Sequence, residues 1–373
     1  MTIYFFLGDI SSKGGIERVT ITLANALSKK FNVSIVSLYK SNSEIAFEIN
    51  NNVNVIILSN QFEKSMYNRS PGGKGIIFDF KYIFSKLDVL KKRCNGINSE
   101  DIIVSCDIKM TLLLYFFCKK NRARLLAIEH FEHDIGNGIL KRLRKIIYTR
   151  IDAVVSLTSE DKHKYLVWLD AKKHWVIPNI VVTNKKELTF SDTEKENTVL
   201  AVGRLTHQKG FDLLIKSWSL IENDGWILKI VGDGEEFDNL QKQVSQLNAT
   251  NIELIPFQKN IHELYAKSKI FVLSSRFEGL GMVLLEALTY ALPCISFDCP
   301  AGPKTILSNG SGLLVPTGNV DLLGTTISKL INDHELRKSL SLKSAKVLVN
   351  FSEDKIVKQW SEMICETKKQ TLL

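Results

Sequence analysis

The segment Ser275-Arg276-Phe277-Glu278-Gly279-Leu280-Gly281-Met282-Val283-Leu284-Leu285-Glu286-Ala287 joins a β-type apolar run, Ile270 to Leu273, to a helical pattern. Its glycines permit tight backbone geometry and close approach of a ligand. The amides of Gly281 to Val283 then form the unsatisfied first turn of a helix, where N–H donors and dipole together attract a phosphate. Glu286 lies about one turn further on, where a carboxylate can accept hydrogen bonds from ribose hydroxyls. Glu278 precedes the turn and can reach the other end of the same ligand. The bland alternative is a solvated Glu278 beside a glutamate that merely starts a helix.

Upstream, Val202-Gly203-Arg204-Leu205 and Gln208-Lys209-Gly210 occupy a second strand-to-helix junction. Arginine offers a forked donor and lysine a mobile point charge, and both suit a diphosphate. The pair can stabilise charge building on a leaving nucleotide diphosphate. Taken alone, either cation would read as a surface residue.

The same alternation runs along the whole chain. Thr2 to Leu7, Val33 to Leu38, Val53 to Leu58, Ile102 to Ser105, Leu125 to Ile128 and Ala153 to Leu157 predict one set of strands. Thr198 to Val202, Ile227 to Val231, Ile252 to Ile255, Ile270 to Leu273 and Cys294 to Phe297 predict a second. Helical segments separate them; the first carries apolar residues at Ile16, Val19, Leu23, Ala26 and Leu27. Strands alternating with helices predict parallel sheets with crossover helices. Thr183 to Asn197 is polar, lacks either period and reads as a linker, and the chain from Val320 onward reads as helical. The fold expected is therefore α/β, with two doubly wound units facing a central cleft.

At 373 residues the chain is long enough for two domains. The net charge of +9 suits a polyanionic partner or an anionic membrane surface. Six cysteines, none in a C-x-x-C pair and several within apolar runs, read as buried free thiols. No apolar run approaches the ~20 residues of a spanning helix, and the amino terminus lacks a basic n-region. The expected location is cytoplasmic. No phosphate loop of the G-x-x-x-x-G-K-[ST] type, zinc-spaced Cys/His cluster or nucleic-acid module is recognisable.

Glu278 and Glu286, separated by seven residues, together with the Gly203-to-Leu205 and Lys209-Gly210 element, resemble the retaining glycosyltransferases of family four, also called group 1. Gly14-Gly15-Ile16-Glu17-Arg18, Val231-Gly232-Asp233-Gly234, and Phe351-Ser352 with Ile356 and Trp360 add to that resemblance, which covers nearly the whole chain. It implies the GT-B architecture of two Rossmann-like domains. Residues 1–183 would bind acceptor and 184–355 donor, and a carboxyl-terminal helix, 356–373, would cross back to the first domain. It also implies transfer of a hexose or N-acetylhexosamine from a nucleotide-diphosphate sugar, UDP-linked, with retained configuration and no metal. Glu278 would contact the donor sugar and Glu286 the ribose. Arg204 and Lys209 would hold the diphosphate, with Gly15, Gly279, Gly281, Met282 and Val283 close to the donor. The base would sit by Pro256-Phe257.

Ala127 to His133 supplies a further candidate. The family often places a histidine after the matching strand, and His130 fits, with His133 as the alternative. Either can hydrogen-bond a sugar hydroxyl, or simply be satisfied at a strand end. A metal site built with Glu129 and Glu132 is the less favoured reading.

Ile139 to Arg150 mixes isoleucines and leucines with Lys141, Arg142, Arg144, Lys145 and Arg150. This basic amphipathic pattern reads either as a lipid-facing helix or as a core-packed helix with a solvated basic face. Asp298-Cys299-Pro300-Ala301-Gly302-Pro303 departs from the family's Gly-Gly-x-x-Glu pattern and resembles a subset of bacterial surface-polysaccharide enzymes. That departure leaves the donor sugar open; packing, rather than nucleophilic attack, is the expected role of Cys299. No two aspartates stand two residues apart, so the metal-binding D-x-D of the other major glycosyltransferase architecture is missing. The expected acceptor is a saccharide, lipid-linked and presented at the inner face of the plasma membrane, and no nucleic acid. Competing readings are a sugar-nucleotide 2-epimerase or phosphorylase on a similar scaffold, and a non-catalytic nucleotide-sugar-binding subunit.

Overall fold

The computed structural model describes residues 1–59, 85–130, 133–134, 138–182 and 195–369. Phe131, Glu132 and most of the expected linker lie outside them. The chain forms two compact units, Met1–Ile180 with Ile356–Leu373, and Val181–Lys355.

The first unit is built on a parallel sheet of β1 (Thr2–Asp9), β2 (Asn32–Tyr39), β3 (Val53–Ile57), β4 (Ile102–Ser105), β5 (Arg124–Glu129), β6 (Ala153–Ser156) and β7 (His174–Val176). Its order is β3-β2-β1-β4-β5-β6-β7, reversing at β1/β4 as doubly wound sheets do. The described helices are α1 (Gly15–Leu27), α2 (Leu87–Arg93), α3 (Ile108–Asn121), α4 (Gly138–Tyr148) and α5 (Ser159–Leu166). β4 and β6 are buried along their whole length, as strands covered on both faces must be. Asp107 caps α3 by accepting from the Met110 N–H at 2.9 Å, and Thr158 caps α5 through Asp161 N–H.

The second unit has a parallel sheet of β8 (Thr198–Val202), β9 (Ile227–Val231), β10 (Ile252–Ile255), β11 (Ile270–Leu273), β12 (Cys294–Phe297) and β13 (Gly312–Val315), ordered β10-β9-β8-β11-β12-β13. Its helices are α6 (Phe211–Trp218), α7 (Phe237–Gln246), α8 (His262–Lys267), α9 (Met282–Thr289), α10 (Gly302–Leu307), α11 (Val320–Asn332), α12 (His334–Ser341) and α13 (Ser344–Leu348). Trp218 anchors this core at 1% exposure. Burying such an indole removes ~150–250 Å² from water, roughly 4–6 kcal/mol of transfer free energy.

The last helix, α14 (Glu353–Lys369), belongs to the first unit from Ile356 onward. Trp360 lies edge-on to Phe5 of β1 with ring centroids 6.2 Å apart, and Lys368 reaches Glu100 at 3.5 Å.

Three expectations need correction. Two edge strands, β7 and β13, were not foreseen: the first is three residues long, and the second begins on Gly312 and stops before Pro316. The segment from Val320 is not one helical run. Asp333 leaves helical geometry to cap α12, and Ser352 is extended. Five cysteines are buried free thiols, but Cys365 is exposed.

Candidate functional site

In the second unit the two glycine-containing junctions lie against each other at the carboxyl ends of β8 and β11, which pair directly. Ser274 Oγ donates to the Lys209 carbonyl at 2.9 Å, Arg276 N–H to the Gln208 carbonyl at 2.8 Å, and Gln208 Nε2 to the Phe277 carbonyl at 2.9 Å. Arg276 grips Asp212 of α6 through both terminal guanidinium nitrogens, Nη1 and Nη2, at 2.9 and 2.7 Å. That pairing holds the Asp212 carboxyl below its usual range despite partial burial. Gly210 sits at φ +63°, and a Cβ there would fall 2.1 Å from the Ser274 carbonyl oxygen. Only glycine allows the loops to approach this closely.

This packing brings Lys209 Nζ to 2.6 Å from Glu278 Oε1, which also accepts from Ser275 Oγ at 2.6 Å. Both partners are largely withdrawn from water, at 17% and 8% side-chain exposure. A carboxylate in such surroundings needs this compensation. Arg204, by contrast, is exposed, and no described group engages its guanidinium. Gly281, in the left-handed region at φ +83°, caps α9, and Met282 and Val283 form its half-buried first turn. Glu286 is buried on α9 and accepts from Tyr265 Oη at 3.2 Å.

The Val231-to-Gly234 turn props the first junction. Leu205 N–H donates to the Asp233 carbonyl and Gly203 N–H to the Val231 carbonyl. A Cβ on Gly234 would fall 2.2 Å from the Leu205 carbonyl oxygen. Asp233 Oδ1 in turn accepts from Phe257 N–H at 3.1 Å, fixing the exposed Phe257 loop. The departing segment at Asp298–Gly302 rests on the same site: a Cβ on Gly302 would fall 2.1 Å from the Leu280 carbonyl oxygen. Cys299 within it is 1% exposed.

In the first unit Gly15 is exposed, and nothing lies within 4 Å of where its Cβ would be. Asp9, at the end of β1, accepts from Ser11 N–H at 2.9 Å, Ser11 Oγ at 2.6 Å and Ser41 Oγ, and so holds the loop leading to Gly15. His130 follows β5 in a small pocket with Thr20, Leu157, Asn179 and Trp360. Its Nε2 is enclosed with no described hydrogen-bond partner, and burial lowers its pKa to about 4, so the ring is neutral. His133 is differently occupied. Its Nδ1 lies 2.9 Å from Asp134, its Nε2 accepts from Trp168 Nε1 at 3.3 Å, and its ring meets Tyr165 edge-on. That makes it part of the packing.

The basic helix also differs from expectation. Arg144 is buried, 3.5 Å from buried Glu129, and donates to the His133 carbonyl at 2.7 Å. Glu129 accepts a further hydrogen bond from Tyr148 Oη. It is thus a structural carboxylate. Lys141, Arg142, Lys145 and Arg150 remain exposed. Among the described residues no three His, Cys, Asp or Glu side chains gather as metal ligands. Asp212 and Tyr265 brace the site without having been named from the sequence, and Ser275, Arg276 and Asp233 figured there only as parts of motifs, with no role. Apart from the Ser275–Glu278 pair, their side-chain partners lie 21 to 69 residues away, with no local spacing to betray them.

Comparison with known proteins fits this geometry. The family described as "Glycosyl transferases group 1" matches residues 184–347. The "Amylovoran biosynthesis glycosyltransferase AmsD" of Erwinia amylovora is 30% identical, over 97% of this chain and 99% of that protein. A Campylobacter jejuni protein is 29% identical over 99% of both chains. It is named "GalNAc-alpha-(1->4)-GalNAc-alpha-(1->3)-diNAcBac-PP-undecaprenol alpha-1,4-N-acetyl-D-galactosaminyltransferase". Among solved structures, a Staphylococcus aureus TarM variant in complex with fondaparinux, alpha-GlcNAc-glycerol and UDP superposes with a TM-score of 0.78. It shares 14% identity, over 97% of this chain and 99% of that one, and shows the GT-B fold.

Proposed function

The chain belongs to the group 1 glycosyl transferases, and we propose that it is a retaining enzyme moving a hexose or N-acetylhexosamine from a UDP-linked donor to a saccharide acceptor. The observation that carries this reading is the Lys209–Glu278 contact at 2.6 Å, where the two phosphate-suited junctions meet beside the start of α9. The second unit is then the donor half. Arg204, Lys209 and the first turn of α9 take the diphosphate, Glu278 a sugar hydroxyl, Glu286 the ribose, and the Phe257 loop the base. Gly15 and His130 belong to the acceptor half. The bond from the anomeric carbon to the diphosphate oxygen breaks, and the acceptor oxygen bonds to that carbon on the same face. The acceptor proton passes to the departing diphosphate, whose growing charge Arg204 and Lys209 offset.

The presence together of Glu278, Glu286, Arg204 and Lys209 supports transfer over a non-catalytic subunit. The relatives' names support a surface-polysaccharide or lipid-linked acceptor. The test is a thermal-shift screen across nucleotide sugars, followed by mass analysis of products. UDP sugars should stabilise the protein, and free UDP should appear only when acceptor is present. Donor conversion without acceptor would instead favour the epimerase.

Two further results are expected. Transfer should proceed at full rate in excess chelator, because two cations already serve the diphosphate. Complete loss, restored by a divalent metal, would overturn this mechanism. The enzyme should also dock reversibly on anionic membrane. Among the described residues no helix is long and apolar enough to cross one. On α4, however, Ile139 and Ile146 are 65% and 46% exposed, and Lys141, Arg142 and Lys145 are exposed beside them in the chain. Each cation contributes ~1 kcal/mol near an anionic leaflet, an attraction that salt screens. Wild type should co-sediment with anionic vesicles at low salt and be released at high salt. A variant with Lys141, Arg142 and Lys145 changed to Gln should stay in solution. Equal sedimentation with neutral vesicles, or no difference between proteins, would make α4 an ordinary solvated helix.

A further inference from the structure

We infer that Tyr265 is a positioning residue that sets the Glu286 carboxylate for the two ribose hydroxyls of the donor nucleotide, and so carries the preference for ribo- over deoxyribonucleotides. The inference rests on the assignment of Glu286 to the ribose. Tyr265 stands on α8, is 1% exposed, and donates its hydroxyl to Glu286 Oε2 at 3.2 Å. A buried phenol needs a partner for its O–H, and this carboxylate supplies it.

The ring itself is held on two sides. Tyr290 stacks on it with centroids 5.5 Å apart and planes 11° from parallel. Phe271 of β11 lies 5.8 Å away, tilted by 38°. Tyr290 is fixed in turn by a hydrogen bond between its hydroxyl and His262 Nδ1. The Tyr265 oxygen is therefore a fixed point on the scale of a hydrogen bond, and Glu286 Oε2 is tethered to it.

A free glutamate samples several rotamers and a broad terminal torsion. One that must accept from two adjacent hydroxyls gains from having its carboxylate plane set beforehand. Glu278 has the same provision from Ser275 and Lys209. Both glutamates are thus braced by side chains that the motif alone does not specify.

The test measures dissociation constants of UDP, 2′-deoxy-UDP and 3′-deoxy-UDP for wild type, Tyr265→Phe, Glu286→Ala and the double variant. Tyr265→Phe keeps the stacked ring and removes only the hydroxyl. Wild type should prefer UDP over at least one deoxy analogue by about one to two decades, the scale of a charged hydrogen bond. Tyr265→Phe should lose about three- to tenfold of that preference, and should add nothing further in the Glu286→Ala background. Its melting temperature should stay within a few degrees of wild type. A role confined to packing would weaken all three ligands equally and leave the preference intact, which overturns the inference while the ribose assignment stands. Absence of any preference in wild type overturns the ribose assignment and this inference together.

Discussion

Lys209→Ala is expected to lower turnover by ~10²–10³-fold, the scale of losing one donor to a developing anion, while raising the apparent KM for donor far less. Negative charge on the diphosphate grows as the glycosidic bond breaks, so a cation bound to it stabilises the transition state more than the ground state. Lys209 has a second duty that sharpens the loss. Its ammonium lies 2.6 Å from buried Glu278, and without it that carboxylate keeps only Ser275 among its described partners. The alanine variant should therefore also melt at a lower temperature. Arg204→Ala separates the two effects. Arg204 is exposed and engaged by no described group, so its removal should leave stability within about ±0.5 kcal/mol, as surface changes do. Turnover should still fall. Steady-state kinetics beside thermal melting of both variants is the measurement. Unchanged turnover in both would remove the diphosphate assignment.

Five strands of the second unit were legible in the sequence because each is a short apolar run bounded by loop residues. Thr198–Val202, Ile227–Val231, Ile252–Ile255, Ile270–Leu273 and Cys294–Phe297 are strands over the expected spans. The edge strands β7 and β13 were not, although the edges β3 and β10 were. His174–Val176 is only three residues long and opens on a histidine, and Gly312–Val315 opens on a glycine that reads as loop, so neither leaves such a signature. The candidate site divides in the same way. Glycines, cations and glutamates show themselves through local spacing around a strand-to-helix turn. What fixes them does not, because Asp212 meets Arg276 only once β8 and β11 are paired, and Tyr265 meets Glu286 only once the helices on either side of β11 come together. The Val231-to-Gly234 turn lies between these cases. The sequence suggested it through resemblance alone, whereas its contact with Leu205 gives the physical need for glycine.

Arg144 shows how charge counted along a helix misleads when one member of the run faces inward. Lys141, Arg142, Arg144 and Lys145 read as one basic cluster, yet Arg144 and Glu129 are 5% and 7% exposed. Burial raises the Glu129 carboxyl above its ordinary range, while Arg144 and the Tyr148 hydroxyl pull it back toward ionisation. Arg144→Ala should consequently cost ~3–5 kcal/mol of stability, the penalty of stranding one charge of a buried pair. Arg142→Gln, two residues away on the exposed face, should change stability by no more than about 0.5 kcal/mol. The Arg144 loss should also depend on pH in a defined direction. Without Arg144 the folded-state pKa of Glu129 rises further above its unfolded value. The folded variant then binds a proton that the unfolded chain releases, so its stability falls as pH rises between those two values. Denaturant melts of wild type and Arg144→Ala at pH 5 and pH 8 are the check, with the gap between the proteins wider at pH 8. A small, pH-independent loss would show that Glu129 does not depend on Arg144, and would return that arginine to the solvated face on which vesicle binding is proposed to rest.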